Sequence, residues 1–237
     1  MLKILLINKY TLLFFVVAIT IGYIFFFKDK IPTEPTLLNN KLSIISKKSI
    51  NSDVIEKESI IIDSDDLEIL LDSIMVPEPI KKQLTLVNVK YYGFDSLIHR
   101  GQIIVNKSVE EDVVGIFEEL FKEKFPIEKV IPIKHYNWND DLSMQDNNTS
   151  SFNYRTIANS NRMSAHSLGL AIDINPRINP YIKGEKISPS NGSYNRSKLG
   201  TITDTTTCFK IFKKYGWKWG GNWRYSKDYQ HFSKSGR

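Results

Sequence analysis

The chain has 237 residues, 41% of them apolar and 24% charged, which is the balance of a globular protein and excludes a wholly disordered one. Its formal net charge of +6 suits nucleic acid, an anionic membrane surface or an anionic polymer, but the lysines are scattered and no stretch resembles a nucleic-acid motif, so nucleic acid is set aside. The single cysteine, Cys208, excludes an internal disulfide and a C-x-x-C metal pattern, and its neighbours Phe209, Ile211 and Phe212 mark it as a buried helix thiol.

Tyr10 to Phe27 carries no charge and is mostly Leu, Phe, Val and Ile. As a helix it would reach about 27 Å, just short of a typical hydrocarbon core. The run ends in Tyr23-Ile24-Phe25-Phe26-Phe27 and offers no small-residue cleavage site, so it reads as an uncleaved signal anchor over residues 1–30 rather than a removable signal. No cysteine follows it, which excludes a lipoprotein. A single-pass membrane protein is expected, with its main domain on the extracytoplasmic side. Residues 31–80 read as a polar stalk without aromatic residues, carrying Pro32, Pro35, Pro77 and Pro79. Leu67, Leu70, Leu71 and Ile74 share one face of a possible short helix within it.

From Lys81 the composition changes, and residues 81–237 are read as the folded domain. Leu84–Tyr92 and Gly101–Asn106 read as the strands of a hairpin turned by Gly93-Phe94-Asp95. Val113, Ile116, Phe117, Leu120 and Phe121 have helical spacing within Val109–Lys124, and Pro126 stops that helix. Val130–Ile133 reads as a short strand and Asn137–Ser151 as a loop. Thr203–Tyr215 reads as a second helix closed by Gly216. The order of strands and helices predicts an α+β domain with a small, mostly antiparallel sheet.

The chemistry concentrates in Ser164-Ala165-His166-Ser167-Leu168-Gly169-Leu170-Ala171-Ile172-Asp173-Ile174-Asn175. Leu170, Ile172 and Ile174 alternate with Ala171, Asp173 and Asn175, so one strand face is core and the other carries a carboxylate. An interior carboxylate is costly unless something compensates its charge. His166 and Asp173 cannot meet on a straight strand or on one helix turn, so a bend is required, and Gly169 supplies it. Further on, Gly216-Trp217-Lys218-Trp219-Gly220-Gly221-Asn222-Trp223 predicts a rigid aromatic wall, and Asp228-Tyr229-Gln230-His231 follows. Asp228 and His231 point to opposite faces of a straight strand, so a second bend is expected before His231. His166, Asp173 and His231 then form a three-ligand metal site with one open position, as in catalytic zinc centres. Zinc lowers the pKa of a bound water and polarises a carbonyl. Asp228 is the carboxylate left to take the proton and return it to a leaving amine. Taken singly, a histidine is most often structural and a strand aspartate a loop cap; the joint pattern carries the metal reading. His99 and His135 lack such a pattern and are not expected to bind metal.

These residues resemble the LAS-type zinc peptidases, the D-Ala-D-Ala carboxypeptidase and L-Ala-D-Glu endopeptidase group. The motif S-x-H-x-x-G-x-A-x-D stands as Ser164, His166, Gly169, Ala171 and Asp173, and acid-x-x-His as Asp228 and His231. Aspartate as the acid, with Gly-Trp-x-Trp-Gly-Gly before it, is similar to the endolysin subgroup. The resemblance extends over Asp141, Ser143-Met144, Asn147–Ser150 and Phe152–Arg155. It implies a Hedgehog/D-Ala-D-Ala-peptidase-like fold with a zinc cleft and peptidoglycan stem peptides as substrate. It also implies that Arg155 steadies the substrate carboxylate or developing oxyanion, with a structural salt bridge as the alternative. Ser164 binds substrate or shapes the loop. The rival readings are a non-catalytic zinc module of the same fold, and a structural membrane protein with an incidental metal site.

Overall fold

The computed structural model describes residues 59–157 and 160–236. The expected anchor over residues 1–30 and the stalk up to residue 58 lie outside the described residues. Among the described residues no helix is long and apolar enough to cross a membrane.

All described residues belong to one compact unit, so packed structure begins well before Lys81. The reason lies in the apolar face noted between Leu67 and Ile74. Helix α1 (Leu67–Leu71) is capped by Asp66, whose Oδ1 accepts from Glu68 N–H at 2.8 Å. It buries Leu70 and Leu71 against Leu84, Ile104 and Phe152, with Trp138 and Tyr154 at the edge. A second short helix, α2 (Glu78–Lys81), leads into the hairpin of β1 (Leu84–Tyr92) and β2 (Ile98–Asn106), paired from Leu84↔Asn106 to Tyr92↔Ile98. Strand β2 starts three residues earlier than Gly101. There the incoming chain pairs with it: Ile62 N–H donates to Arg100 O at 3.0 Å and Arg100 N–H to Ile60 O at 2.9 Å.

Helix α3 (Glu110–Lys122) has three acidic residues in its first turn and buries Val113, Ile116, Phe117 and Leu120, as the spacing predicts. Strand β3 (Lys129–Val130) is shorter than expected, because Ile133–Tyr136 forms a 3-10 turn. The stretch read as a loop contains α4 (Asp140–Gln145), capped by Asn139, and β4 (Asn148–Thr149), parallel to β3. Six residues are too few for a periodic signal. After a 3-10 turn at Ala165–Leu168 come β5 (Ala171–Asp173) and a hairpin of β6 (Tyr181–Lys183) and β7 (Lys186–Ser188). Helix α5 (Thr207–Lys214) carries buried Cys208, whose thiol burial pushes up. The chain ends with β8 (Lys218–Trp219), a 3-10 turn at Gly220–Asn222, β9 (Lys227–Asp228) and β10 (His231–Ser233).

The α+β composition matches the expectation, but the single small sheet is corrected. The described strands form four small sheets, β1-β2, β3-β4, β5-β10-β8 and β7-β6-β9, of which β3-β4 is parallel. Strands of two or three residues cannot extend one continuous ladder, and single bridges such as Ser150↔Asp173 continue it between pieces. Helices α3 and α5 cover the core, where Phe212 stacks on Phe232 at 3.9 Å beside Ile172.

Because α1 covers Leu84, Ile104 and Phe152, trimming the chain to residues 81–237 removes two buried leucines worth about 1.5–3 kcal/mol each. Urea unfolding of chains trimmed to 56–237 and to 81–237 should show the shorter one losing stability by about that sum; equal midpoints would mean that α1 adds nothing.

Candidate metal centre

Ser164 sets the first turn of the site. Its Oγ accepts from His166 N–H at 3.3 Å and caps the 3-10 turn that carries His166. Gly169 ends that turn in the left-handed region, at φ 66° and ψ 26°, and sends the chain into β5. This is the bend that the motif requires. A Cβ at Gly169 would stand 2.5 Å from Asn106 N, and the end of β2 holds the turn through Asn106 N–H to Gly169 O at 2.9 Å and Asn106 Nδ2 to Leu168 O at 3.0 Å.

Strand β10 then pairs antiparallel with β5, with His231 directly opposite Asp173. Facing residues of an antiparallel pair project to the same side, so register places the second and third ligand candidates together. His166 Nε2 lies 3.2 Å from His231 Nδ1 and 3.3 Å from Asp173 Oδ1, and His231 Nδ1 lies 3.1 Å from that same oxygen. Zinc bonds of about 2.0–2.1 Å at tetrahedral angles put neighbouring donor atoms about 3.3 Å apart. The three donors therefore fit three corners of one tetrahedron, and all three residues are buried. His166 Nδ1 faces Ser151 O at 2.7 Å. A carbonyl only accepts, so Nδ1 carries the proton and the Nε2 lone pair points at the cluster.

All three atoms can act as electron-pair donors toward one point, an arrangement that suits a cation between them. Without a metal, burial pulls the His166 pKa down, but Asp173 outweighs burial and raises it. Burial pushes the Asp173 carboxyl up, but His166 and then His231 outweigh it and hold it far below the usual carboxylate range.

Asp228 reaches the cluster by the second bend. It pairs with Tyr181 in the β6-β9 ladder, whereas His231 pairs with Asp173 in the β5-β10 ladder. The chain changes sheets across Tyr229 and Gln230. The Asp228 pKa is pushed up to about 6, first by burial and then by the Asp173 charge, against the lowering pull of His231. Its Oδ1 is buried without a partner among the described residues, and so is His231 Nε2. The expected aromatic wall stands beside it: Trp223 lies 5.4 Å from the His231 ring and Trp219 lies 5.8 Å from Tyr229.

Arg155 is held in an ion pair, the alternative weighed for it. Its Nη2 lies 2.7 Å from Asp140 Oδ2, and its backbone N–H donates to Ser167 Oγ at 2.9 Å, one residue from His166. Its charge is felt at His166, where it opposes the effect of Asp173. Asp140 was not read from the sequence; neighbouring Asp141, which the resemblance covered, is exposed. Ser151 was missed as well, because it acts through a backbone carbonyl that any residue type provides. Ser164 is seen shaping the loop. His99 is buried and paired with Asp95 at 3.0 Å, and His135 pairs with Asp65 at 2.7 Å. Neither joins a metal-ligand group among the described residues.

Gly169→Ala would cost about 1–2 kcal/mol from the left-handed backbone alone, and the crowding against Asn106 adds to that. Thermal unfolding should register the loss and metal uptake should weaken with it, since His166 hangs on this turn; an unchanged Tm and unchanged uptake would refute the role of the bend.

A family model described as D-alanyl-D-alanine carboxypeptidase matches residues 158–234. No curated protein and no solved structure matches the chain. The matched stretch contains His166, Asp173, Asp228 and His231, while Asp140, Ser151 and Arg155 precede it. The peptidase family resembled by the two motifs is the family that residues 158–234 match.

Proposed function

We propose that the chain is a zinc peptidase that hydrolyses peptide bonds in peptidoglycan stem peptides, as a D-Ala-D-Ala carboxypeptidase or an L-Ala-D-Glu endopeptidase. One observation carries the catalytic reading. The two nitrogens and one carboxylate oxygen sit at tetrahedral separations, 3.1–3.3 Å, and a buried, unpartnered carboxylate oxygen of Asp228 stands three residues before the third ligand.

His166, Asp173 and His231 would hold the zinc, whose bound form supplies a Lewis acid for the scissile carbonyl and an acidified water. Asp228 takes the proton of the attacking water on its free Oδ1 and later returns it to the leaving amine. In the metal-free protein burial raises this carboxyl to about 6, and a raised carboxyl is a stronger base than an ordinary one. Arg155, steadied by Asp140 and felt at His166, offers a guanidinium for the substrate anion that the family resemblance implies. The peptidoglycan substrate rests on the family resemblance. The charge-free run Tyr10–Phe27 supports a membrane anchor for the proposed enzyme, with its domain outside the cytoplasm. A retired, purely metal-binding module would have little reason to keep a buried carboxylate oxygen without a partner beside its third ligand.

Asp228→Ala should keep stoichiometric zinc and lower cleavage of defined muropeptides, followed by mass spectrometry, by about 10²–10⁴-fold. Zinc-dependent cleavage surviving in that variant would remove Asp228 from the reaction.

Metal affinity should also depend on pH with a definite sign. A ligand histidine must be neutral to bind, and the His166 pKa is raised in the metal-free protein. Below that raised value a proton competes with the metal, so affinity should fall by about tenfold per pH unit for each proton displaced. A zinc competition titration with a chelator between neutral and mildly acid pH checks this; affinity that holds constant as pH falls would contradict it.

A further inference from the structure

The acid and the third ligand come from two different ladders, so something must let these ladders approach. Trp219 and Gly220 occupy the place where they do. Trp219 pairs with Phe232 in β10, and its indole Nε1–H donates to Tyr229 O at 2.8 Å, directly after Asp228. Gly220 is buried beneath both site residues. A Cβ built on it would lie 2.7 Å from Asp228 O, 2.8 Å from Asp228 Cβ and 3.2 Å from His231 Cβ.

Gly220 is not among the left-handed glycines, so its backbone would accept alanine. The requirement for glycine is close approach alone. Neither neighbour can retreat cheaply. Asp228 is paired with Tyr181, and His231 with Asp173, in ladders that run through the site. A methyl group at position 220 would therefore push the acid and the ligand apart rather than displace a flexible side-chain end. Gly221 continues the same logic, because a Cβ there would run into the Trp219 ring.

We propose that the Trp219–Gly220 corner is a positioning element, in which the missing side chain of Gly220 lets Asp228 and His231 converge on one point while Trp219 fixes the peptide between them. The inference rests on the metal-site reading given above. Neither residue touches substrate in this account; both act through Asp228 and His231.

The test uses the full chain loaded with cobalt(II), whose visible absorption reports ligand geometry without turnover. Gly220→Ala should bind cobalt about 10–100-fold more weakly and with an altered spectrum. Its kcat on a muropeptide should fall by about 100-fold, the scale of a 1 Å misplacement, with little change in KM. Gly101→Ala is the control: its Cβ would enter the backbone carbonyl of Val130, so it should lower Tm while leaving the cobalt spectrum as in the wild type. Should Gly220→Ala fail to fold, Trp219→Phe keeps an aromatic ring and removes the bond to Tyr229 O; an altered cobalt spectrum supports the proposal and a wild-type spectrum overturns it. Wild-type cobalt affinity and spectrum in Gly220→Ala, or an equal change in Gly101→Ala, would also overturn it. A wild-type chain that binds cobalt and cleaves no muropeptide would strike the substrate reading alone, and one that takes up no cobalt would sink both.

Discussion

Three electron-pair donors aimed at one buried point are the constraint on which the rest of the domain depends. An Nε2 lone pair, an Nδ1 and a carboxylate oxygen lie 3.1–3.3 Å apart on three buried residues. Such a cluster is unfavourable unless a proton or a metal ion occupies it, and its strong effect on the Asp173 and His166 titrations states the same fact. The surrounding architecture holds the three donors in place. One ladder fixes Asp173 against His231, the left-handed turn at Gly169 returns His166, and the Ser151 carbonyl chooses its tautomer.

Much of the site is built from backbone placement, which explains the short strands. A long, regular sheet would keep residues three apart on opposite faces. Dividing Asp228 and His231 between two ladders removes that restriction at the cost of continuity. The same trade appears on the other wall, where residues 151–155 run beside the His166 turn. Asn153 N–H donates to His166 O at 3.2 Å, and the Arg155 backbone is tied to Ser167. Asp140 then anchors the Arg155 guanidinium and accepts from Asn153 Nδ2 at 3.2 Å. Helix α4 thereby orders the cation beside the His166 turn, and the apolar cluster under Trp138 and Phe152 joins this wall to α1.

This division also decides what was legible in the sequence. The clustering of His166, Asp173 and His231 was readable because these residues, with Gly169, are chemical signatures at informative spacing, and both bends followed from geometry. Helix α3 was readable from its period. Helix α4 was not, since six residues carry no period, and Asp140 therefore passed unnoticed beside Asp141. The alternation in β5 was only half informative: Ala171 and Asn175 are as buried as Ile172, because the second face is covered by protein as well, with Asn175 Nδ2 donating to Pro126 O and Gly200 O. Packed structure before Lys81 was obscured by polar composition, although the Leu67–Ile74 face was visible. Hydrogen bonds through main-chain atoms, such as the Ser151 carbonyl, leave no mark on residue type.

Buried polar atoms without partners are rare in folded proteins and costly where they occur. Five of the seven such side-chain atoms among the described residues, Ser151 Oγ, Arg155 Nε, Asp228 Oδ1, Gln230 Oε1 and His231 Nε2, belong to residues that build this centre; the other two are Tyr91 Oη and Asn147 Nδ2. A site whose only task was to staple the fold would gain from satisfying these groups, since each bond closed would add stability. A site that must receive a substrate keeps donors and acceptors free until the ligand arrives. Three clustered donor residues rather than four, and a buried carboxylate with one oxygen left without a partner, are two forms of the same incompleteness. The close approach of Asp228 and His231 over Gly220 leaves no room for a side chain between them, and the carboxylate stays outside the three-residue cluster.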